Sequence, residues 1–201
     1  GKYFPVNGLE FYGTLMIDEL RTSEMFNDWF GNRWAAQAGT HVAGNLFSFP
    51  IDLRIEWTAA RPWAYTHRVP LYGTYTHNGR SLGFKHGPNS QLLLIENRWW
   101  INPRSRISIV FDQLKWGVKP EDETEPGFDF GNNPNESYAI ANPEYHNSTS
   151  WLIGDIQTSR TINFSFEYQL SNILGMELCY SQKKGMGEVL NNMSIQVNVD
   201  Y

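Results

Sequence analysis

The side chains of this chain best equipped for chemistry crowd into one stretch, RPWAYTHRVPLYGTYTHNGRSLGFKHGPNS, residues 61–90. Trp63, Tyr65, His67, Tyr72, Tyr75, His77, Arg80, His86 and Asn89 bring rings, imidazoles, a guanidinium and an amide into a single connection. Catalysis by a nucleophile or by paired carboxylates asks for such groups on rigid elements. Asp52 and Glu56 are two strand positions on one face, and His67 and His77 follow them, so a hydrolase can be sketched from residue types. No Gly-x-Ser-x-Gly or comparable motif supports the sketch. The expectation is a binding protein, not an enzyme.

Metal chemistry has two candidates. Glu121, Asp122, Glu123, Glu125 and Asp129 could supply hard oxygen ligands for calcium, but their spacing is not that of an EF-hand and reads as a solvated acidic loop. Cys179 is the only cysteine, so no intrachain disulfide forms, and no Cys-x-x-Cys or His-rich spacing marks a zinc site. No metal and no cofactor are expected. A net charge of -5 without a Lys/Arg cluster speaks against nucleic acid, whose phosphates need a basic face.

The elements that must hold these groups are strands. At 201 residues the chain suits one domain or a part of a larger one, and 15% aromatics with eight Trp favour sheet. In IDLRIEWTA, Ile51, Leu53, Ile55 and Trp57 alternate with Asp52, Arg54, Glu56 and Thr58. In RTINFSFEYQL, Ile162, Phe164, Phe166, Tyr168 and Leu170 alternate with Thr161, Asn163, Ser165, Glu167 and Gln169. MSIQVNVDY repeats the pattern and closes on Tyr201. Residues 9–17 and 105–112 follow it less purely, and 33–43, 91–101, 150–158 and 176–183 are weaker candidates, giving about eight or nine strands. The TSRT stretch near 160 reads as a tight connection, while 72–90 and 117–149 read as long loops.

Two all-β architectures accept this alternation: a soluble sandwich whose apolar faces meet in a core, and a membrane barrel whose apolar faces meet lipid. No stretch approaches the roughly 20 apolar residues of a membrane helix, so any crossing is by strands. Several alternating runs reach the roughly 9–11 residues a tilted transmembrane strand needs, which favours the barrel. Mid-strand Asp52, Arg54, Glu56, Arg106, Asp112 and Glu167 would then line a wet lumen, and Trp57, Trp63, Trp99, Trp100, Trp116 and Trp151 would sit at strand ends as interfacial girdles. The opening GKYFPVNGLE has no basic and apolar leader, as expected of a processed chain or of the continuation of a longer one.

The run IEWTAARPWAYTHRVPLYGTYTHNGRSLGFKHGPNSQLL resembles the capsule assembly proteins of the Wzi type found in Bacteroidetes. The likeness rests on Glu56-Trp57-Thr58, Arg61-Pro62-Trp63, Tyr65-Thr66-His67-Arg68, Tyr75-Thr76-His77, Leu82-Gly83 and Gly87-Pro88-Asn89-Ser90. Relatives commonly carry His-Pro after the Leu-Gly, where this chain has Phe84-Lys85-His86. The terminal amphipathic strand ending on an aromatic likewise resembles the insertion signal of bacterial outer-membrane barrels.

The resemblance implies an antiparallel transmembrane β-barrel in the bacterial outer membrane, with residues 1–201 forming one barrel region that corresponds to the C-terminal half of a longer barrel. It implies a lectin-like, non-catalytic part in capsule assembly or surface attachment. The partners would be outer-membrane lipid or lipopolysaccharide, a capsular or other surface polysaccharide, and other outer-membrane proteins. The residues suit that role, because sugar C–H faces stack on Trp and Tyr while hydroxyls bond to planar Arg, Asn and His groups. Trp63, Tyr65, His67, Tyr75, His77, Arg80 and Asn89 are the expected contacts, on a loop that forms a polysaccharide surface or plugs the lumen. The alternatives are an accessory barrel subunit of a larger secretion or gliding complex, a soluble carbohydrate-binding sandwich, and a loop that merely buries its rings.

Overall fold

The computed structural model describes residues 1–25, 27–69, 73, 75–121, 129–141 and 143–199. Tyr72, the acidic residues Asp122, Glu123 and Glu125, and the terminal Tyr201 lie outside the described residues.

The chain is all-β. Its strands are β1 (Lys2–Val6), β2 (Leu9–Glu19), β3 (Arg33–Leu46), β4 (Phe49–Ala60), β5 (Thr76–His77), β6 (Arg80–Ser81), β7 (Ser90–Asn102), β8 (Ser105–Val118), β9 (Asp155–Gln169), β10 (Leu174–Gly185) and β11 (Glu188–Val199). One nine-stranded antiparallel sheet runs β1-β2-β3-β4-β7-β8-β9-β10-β11, and the hairpin β5–β6 stands apart in the connection between β4 and β7. The sheet is an up-and-down meander that does not close, leaving β1 and β11 as its edges. Connections differ sharply at its two ends. At one end the turns are short, 7–8, 47–48, 103–104 and 170–173; at the other lie 20–32, 61–89 and 119–154, with the tight 186–187 turn beside them.

The alternation of side chains places acid and base on one face and oil on the other, and the burial is the reverse of a soluble sheet. On β4, Ile55 is 37% exposed whereas its neighbour Glu56 is 6% exposed. Phe11, Leu15, Ile17, Ile109, Ile162, Met193, Ile195 and Val197 are likewise exposed on the apolar face. A sandwich would lay a second sheet over that face, yet among the described residues the only other sheet is the two-stranded β5–β6.

The polar face satisfies itself across strands. The Lys2 ammonium meets Glu10 at 2.6 Å, His41 Nε2 meets Asp52 at 2.7 Å, and the Arg106 guanidinium spans both oxygens of Glu167, one at 2.7 Å. Arg98 pairs with Glu96. On β2 to β4 the Tyr12 hydroxyl donates to Glu56 at 2.7 Å and accepts from Arg54 Nε at 3.0 Å, while Arg54 also pairs with Glu56. Tyr12 can reach across β3 only because Gly39 lies opposite it: a Cβ there would stand 2.4 Å from the ring. Hydrogen bonds to charged groups contribute about 1.5–3 kcal/mol each, and an orphaned buried carboxylate costs more, so the three side chains behave as one unit.

Two sequence expectations need correction. TSRT is not a connection: Thr158–Thr161 lie inside β9, a continuous strand that absorbs the second half of the 150–158 candidate and nearly all of the 160–170 one, while residues 150–154 precede it. Here both faces of the strand are polar, with Arg160 outward between inward Ser159 and Thr161. Where lipid or core contacts neither face, the apolar signal vanishes although the backbone ladder continues. β8 runs six residues beyond the 105–112 reading, to Val118, because there the alternation changes phase: Leu114, Trp116 and Val118 are apolar on the face that carries Arg106 and Asp112.

Candidate functional site

The segment between β4 and β7 folds back over the polar face. It begins at Arg61, whose backbone N–H bonds to Trp34 and whose guanidinium donates to the Thr149 carbonyl at 2.6 Å. Burial pushes the Arg61 guanidinium below its ordinary value, an effect the charge of Asp28 opposes. Trp63 is wholly buried against Ala141 and Ile153, with Phe30 edge-on at 5.8 Å. Its backbone N–H bonds to Gly131, where any Cβ would strike that nitrogen at 2.6 Å. Trp63 and Tyr65 hold left-handed backbone angles, φ 59° and 71°, which non-glycine residues keep only when their surroundings fix them.

Tyr65 turns the other way, packing with Ala35 and Ala60 on the inner side of the sheet and with Ala64 of its own connection. Its hydroxyl accepts from the Phe84 N–H at 3.1 Å, and burial raises its pKa. Tyr75 stacks on it with centroids 6.0 Å apart and 29° between planes, tied by a Tyr75 N–H to Tyr65 carbonyl bond of 3.0 Å. Gly83 passes the Tyr65 ring so closely that a Cβ would stand 2.6 Å from it.

Between this segment and the inner wall lies a cleft of about 620 Å³, within the range of ligand pockets. Tyr65, Tyr75 and Phe84 form its aromatic side; Gln37, Arg54, Glu56 and Thr58 form the wall, with Lys85 at the rim. One side offers flat apolar faces, the other fixed donors and acceptors.

The expected contact residues therefore divide. Tyr65 and Tyr75 line the cleft together. His67, His77 and Arg80 are exposed, His67 accepting from the Val69 N–H at 3.3 Å and the other two on the β5–β6 hairpin, whose Gly79 carbonyl is held by Asn135 at 3.0 Å. Trp63 and Asn89 are structural: both are 0% exposed and present no surface to a ligand. Asn89, at φ 52°, donates from Nδ2 to the carbonyls of Phe130 and Ile153 at 2.9 and 3.1 Å and accepts from the Ile153 N–H at 3.0 Å. It staples the 129–154 segment to the start of β7. Gln37, Arg54, Glu56 and Lys85 join the site without having been singled out as contacts. Alternation puts Arg54 and Glu56 on one face of β4, but only the β3–β4 register brings Gln37 beside them, and only tertiary folding shows which loop covers that face.

Asp129, once a candidate calcium ligand, is buried beside the Trp63 indole, and desolvation pushes its pKa up to about 6 against the backbone N–H groups of Gly131 and Phe130. Among the described residues no three His, Cys, Asp or Glu side chains converge as a metal site.

No protein-family model and no curated protein matches the chain. Among solved structures, the chain is similar to the high-pH structure of OprB from Pseudomonas putida, an outer-membrane porin, at 11% identity and a TM-score of 0.35. The match covers 98% of this chain and 56% of OprB, so the chain spans little more than half that protein's length.

Proposed function

We propose that this chain is part of an outer-membrane β-barrel that holds surface polysaccharide without cleaving it, a lectin-like part in capsule assembly or attachment. The observation that carries the reading is the inside-out sheet: half-buried ion pairs on one face, oil exposed on the other, and an aromatic loop folded onto the wet side.

Several features support the membrane setting. Along β9 and into the turn that follows it, the outward apolar run from Ile162 to Leu170 covers about 27 Å of chain, or about 20 Å of depth at a tilt near 40°, close to the apolar band of known barrels. Trp34 and Trp57 flank Trp151 at 4.4 and 5.1 Å at the long-loop end, an aromatic girdle. Short turns at one end and long connections at the other match periplasmic and extracellular sides. Open edges at β1 and β11 would cost several kcal/mol per unpaired backbone group in lipid, so further strands complete the wall.

The cleft supports a sugar ligand. Stacked Tyr65 and Tyr75 fit C–H faces, and Gln37, Arg54 and Lys85 fit hydroxyls or carboxylates. Glu56 is engaged by Tyr12 and Arg54, and Asp52 by His41, so these carboxylates serve the wall. The run from Glu56 to Ser90 that resembles Wzi-type proteins builds both cleft and anchor.

The test is binding of capsular polysaccharide to protein extracted from envelopes in mild detergent. Tyr75→Ala, at an exposed position, should weaken binding about 3–10-fold, the worth of one aromatic stack. Unchanged binding by Tyr75→Ala and Lys85→Ala together would remove the cleft from the reading. Recovery of the protein without detergent would remove the membrane.

A further inference from the structure

Resting on the barrel reading, a second surface emerges on the outer wall. The register aligns one outward-facing row across the sheet, from Trp57 on β4 through Leu93, Gln113 and Arg160 to Lys184 on β10. Lys115 stands one outward step along β8 from Gln113, opposite Thr158 and diagonal to Arg160. Lys115, Arg160 and Lys184 are all exposed. Arg160 and Lys184 are direct cross-strand partners, an arrangement of like charges that destabilises a sheet.

Among the described residues none of the three forms an ion pair, and every outward position of β3, β4 and β7 to β11 lacks a carboxylate. The inner face of β3, β4, β7, β8 and β9 matches acid with base, whereas the outward patch offers its cations no acid. With its amide turned so that the oxygen faces Arg160, Gln113 accepts from Nε at 2.9 Å and Nη2 at 3.1 Å, which braces the guanidinium and leaves its charge uncompensated. On β8 and β9 the continuous outward oil ends at Phe111 and Ile162, just before the row, with Ile156 further along β9, and Trp57, a girdle residue, shares the row with Val189.

We propose that Lys115, Arg160 and Lys184 form a binding site for the phosphate groups of an outer-leaflet phosphorylated glycolipid. The patch lies at the long-loop end of the apolar band, at the depth where head-group phosphates meet the wall. Guanidinium and ammonium groups within cross-strand reach suit a multiply charged oxyanion. Cations near an anionic membrane surface each strengthen attachment about 5-fold.

The experiment is native mass spectrometry of the full-length protein in nonionic detergent with chelator, titrated with a bisphosphorylated lipid A and with its dephosphorylated form. The wild type should retain the phosphorylated lipid at least about 10-fold more tightly, and Lys115→Gln/Arg160→Gln/Lys184→Gln should erase that preference. Equal retention of the two lipids by wild type overturns the proposal, whatever the variant's yield. So does a folded triple variant that keeps the preference. Heat-dependent gel migration of the same sample reports on the barrel separately: a barrel that migrates as folded yet ignores phosphate refutes the site alone, whereas a detergent-independent protein refutes the membrane reading beneath it.

Discussion

Asn89→Ala should loosen the long-loop end while leaving the strands standing. The wild-type amide is wholly buried and makes three hydrogen bonds, two to the carbonyls of Phe130 and Ile153 and one from the Ile153 N–H. Alanine leaves those groups without partners in a site that water does not reach. Each orphan costs about 1–3 kcal/mol, and holding alanine at φ 52° adds about 1 kcal/mol. Carbonyls keep a second lone pair and some relaxation is expected, so the total is about 3–5 kcal/mol. Spread over local opening of 129–154, that raises protease cleavage there at least about 100-fold. Limited proteolysis in detergent measures it, with heat-dependent gel migration reporting the intact sheet. Asn89→Gly removes the backbone penalty and keeps the lost bonds, so it should recover only about 1 kcal/mol. Cleavage that rises less than about 5-fold in Asn89→Ala would refute the role of the amide as a staple.

The remaining expectations concern charge, packing and orientation. Asp129 has a folded pKa of about 6 against roughly 3.9 unfolded, so its protonated form favours the packed loops. The stabilisation, about 2–3 kcal/mol, is fully present below pH 4 and lost as pH rises through 6; hydrogen exchange of 129–154, corrected for intrinsic rate, should show it, and Asp129→Asn should flatten it. Gly39→Ala places a Cβ 2.4 Å from the Tyr12 ring and should unseat Tyr12 from Glu56, with a loss of about 2–4 kcal/mol in the denaturant midpoint series, largely absent when Tyr12→Ala is already present. A fluorophore on Met193→Cys should be quenched by brominated lipid and one on Ser194→Cys should not, because the two residues oppose each other across β11; equal quenching would contradict the inside-out sheet.

The two-residue period determined most of the fold by itself. Ile51 to Thr58 and Thr161 to Leu170 announce strands with one oily and one wet face, because side chains alternate whatever surrounds them. What alternation cannot say is which face is covered. That was decided in three dimensions, where Glu56 is enclosed and Ile55 is bare. Thr158–Thr161 read as a turn because local polarity is the only signal a sequence offers there, while the β9 ladder is held by partners on β8 and β10 far along the chain. The candidate site splits on the same principle. Residue type drew attention to Tyr65, Tyr75, Trp63 and Asn89 alike, and it could not show that the first two line a cleft while the other two are enclosed. The wall of Gln37, Arg54 and Glu56 and the outward row ending at Arg160 and Lys184 come from register, which pairs residues distant in sequence. A sequence specifies the side chains; hydrogen-bonded neighbours decide which of them meet.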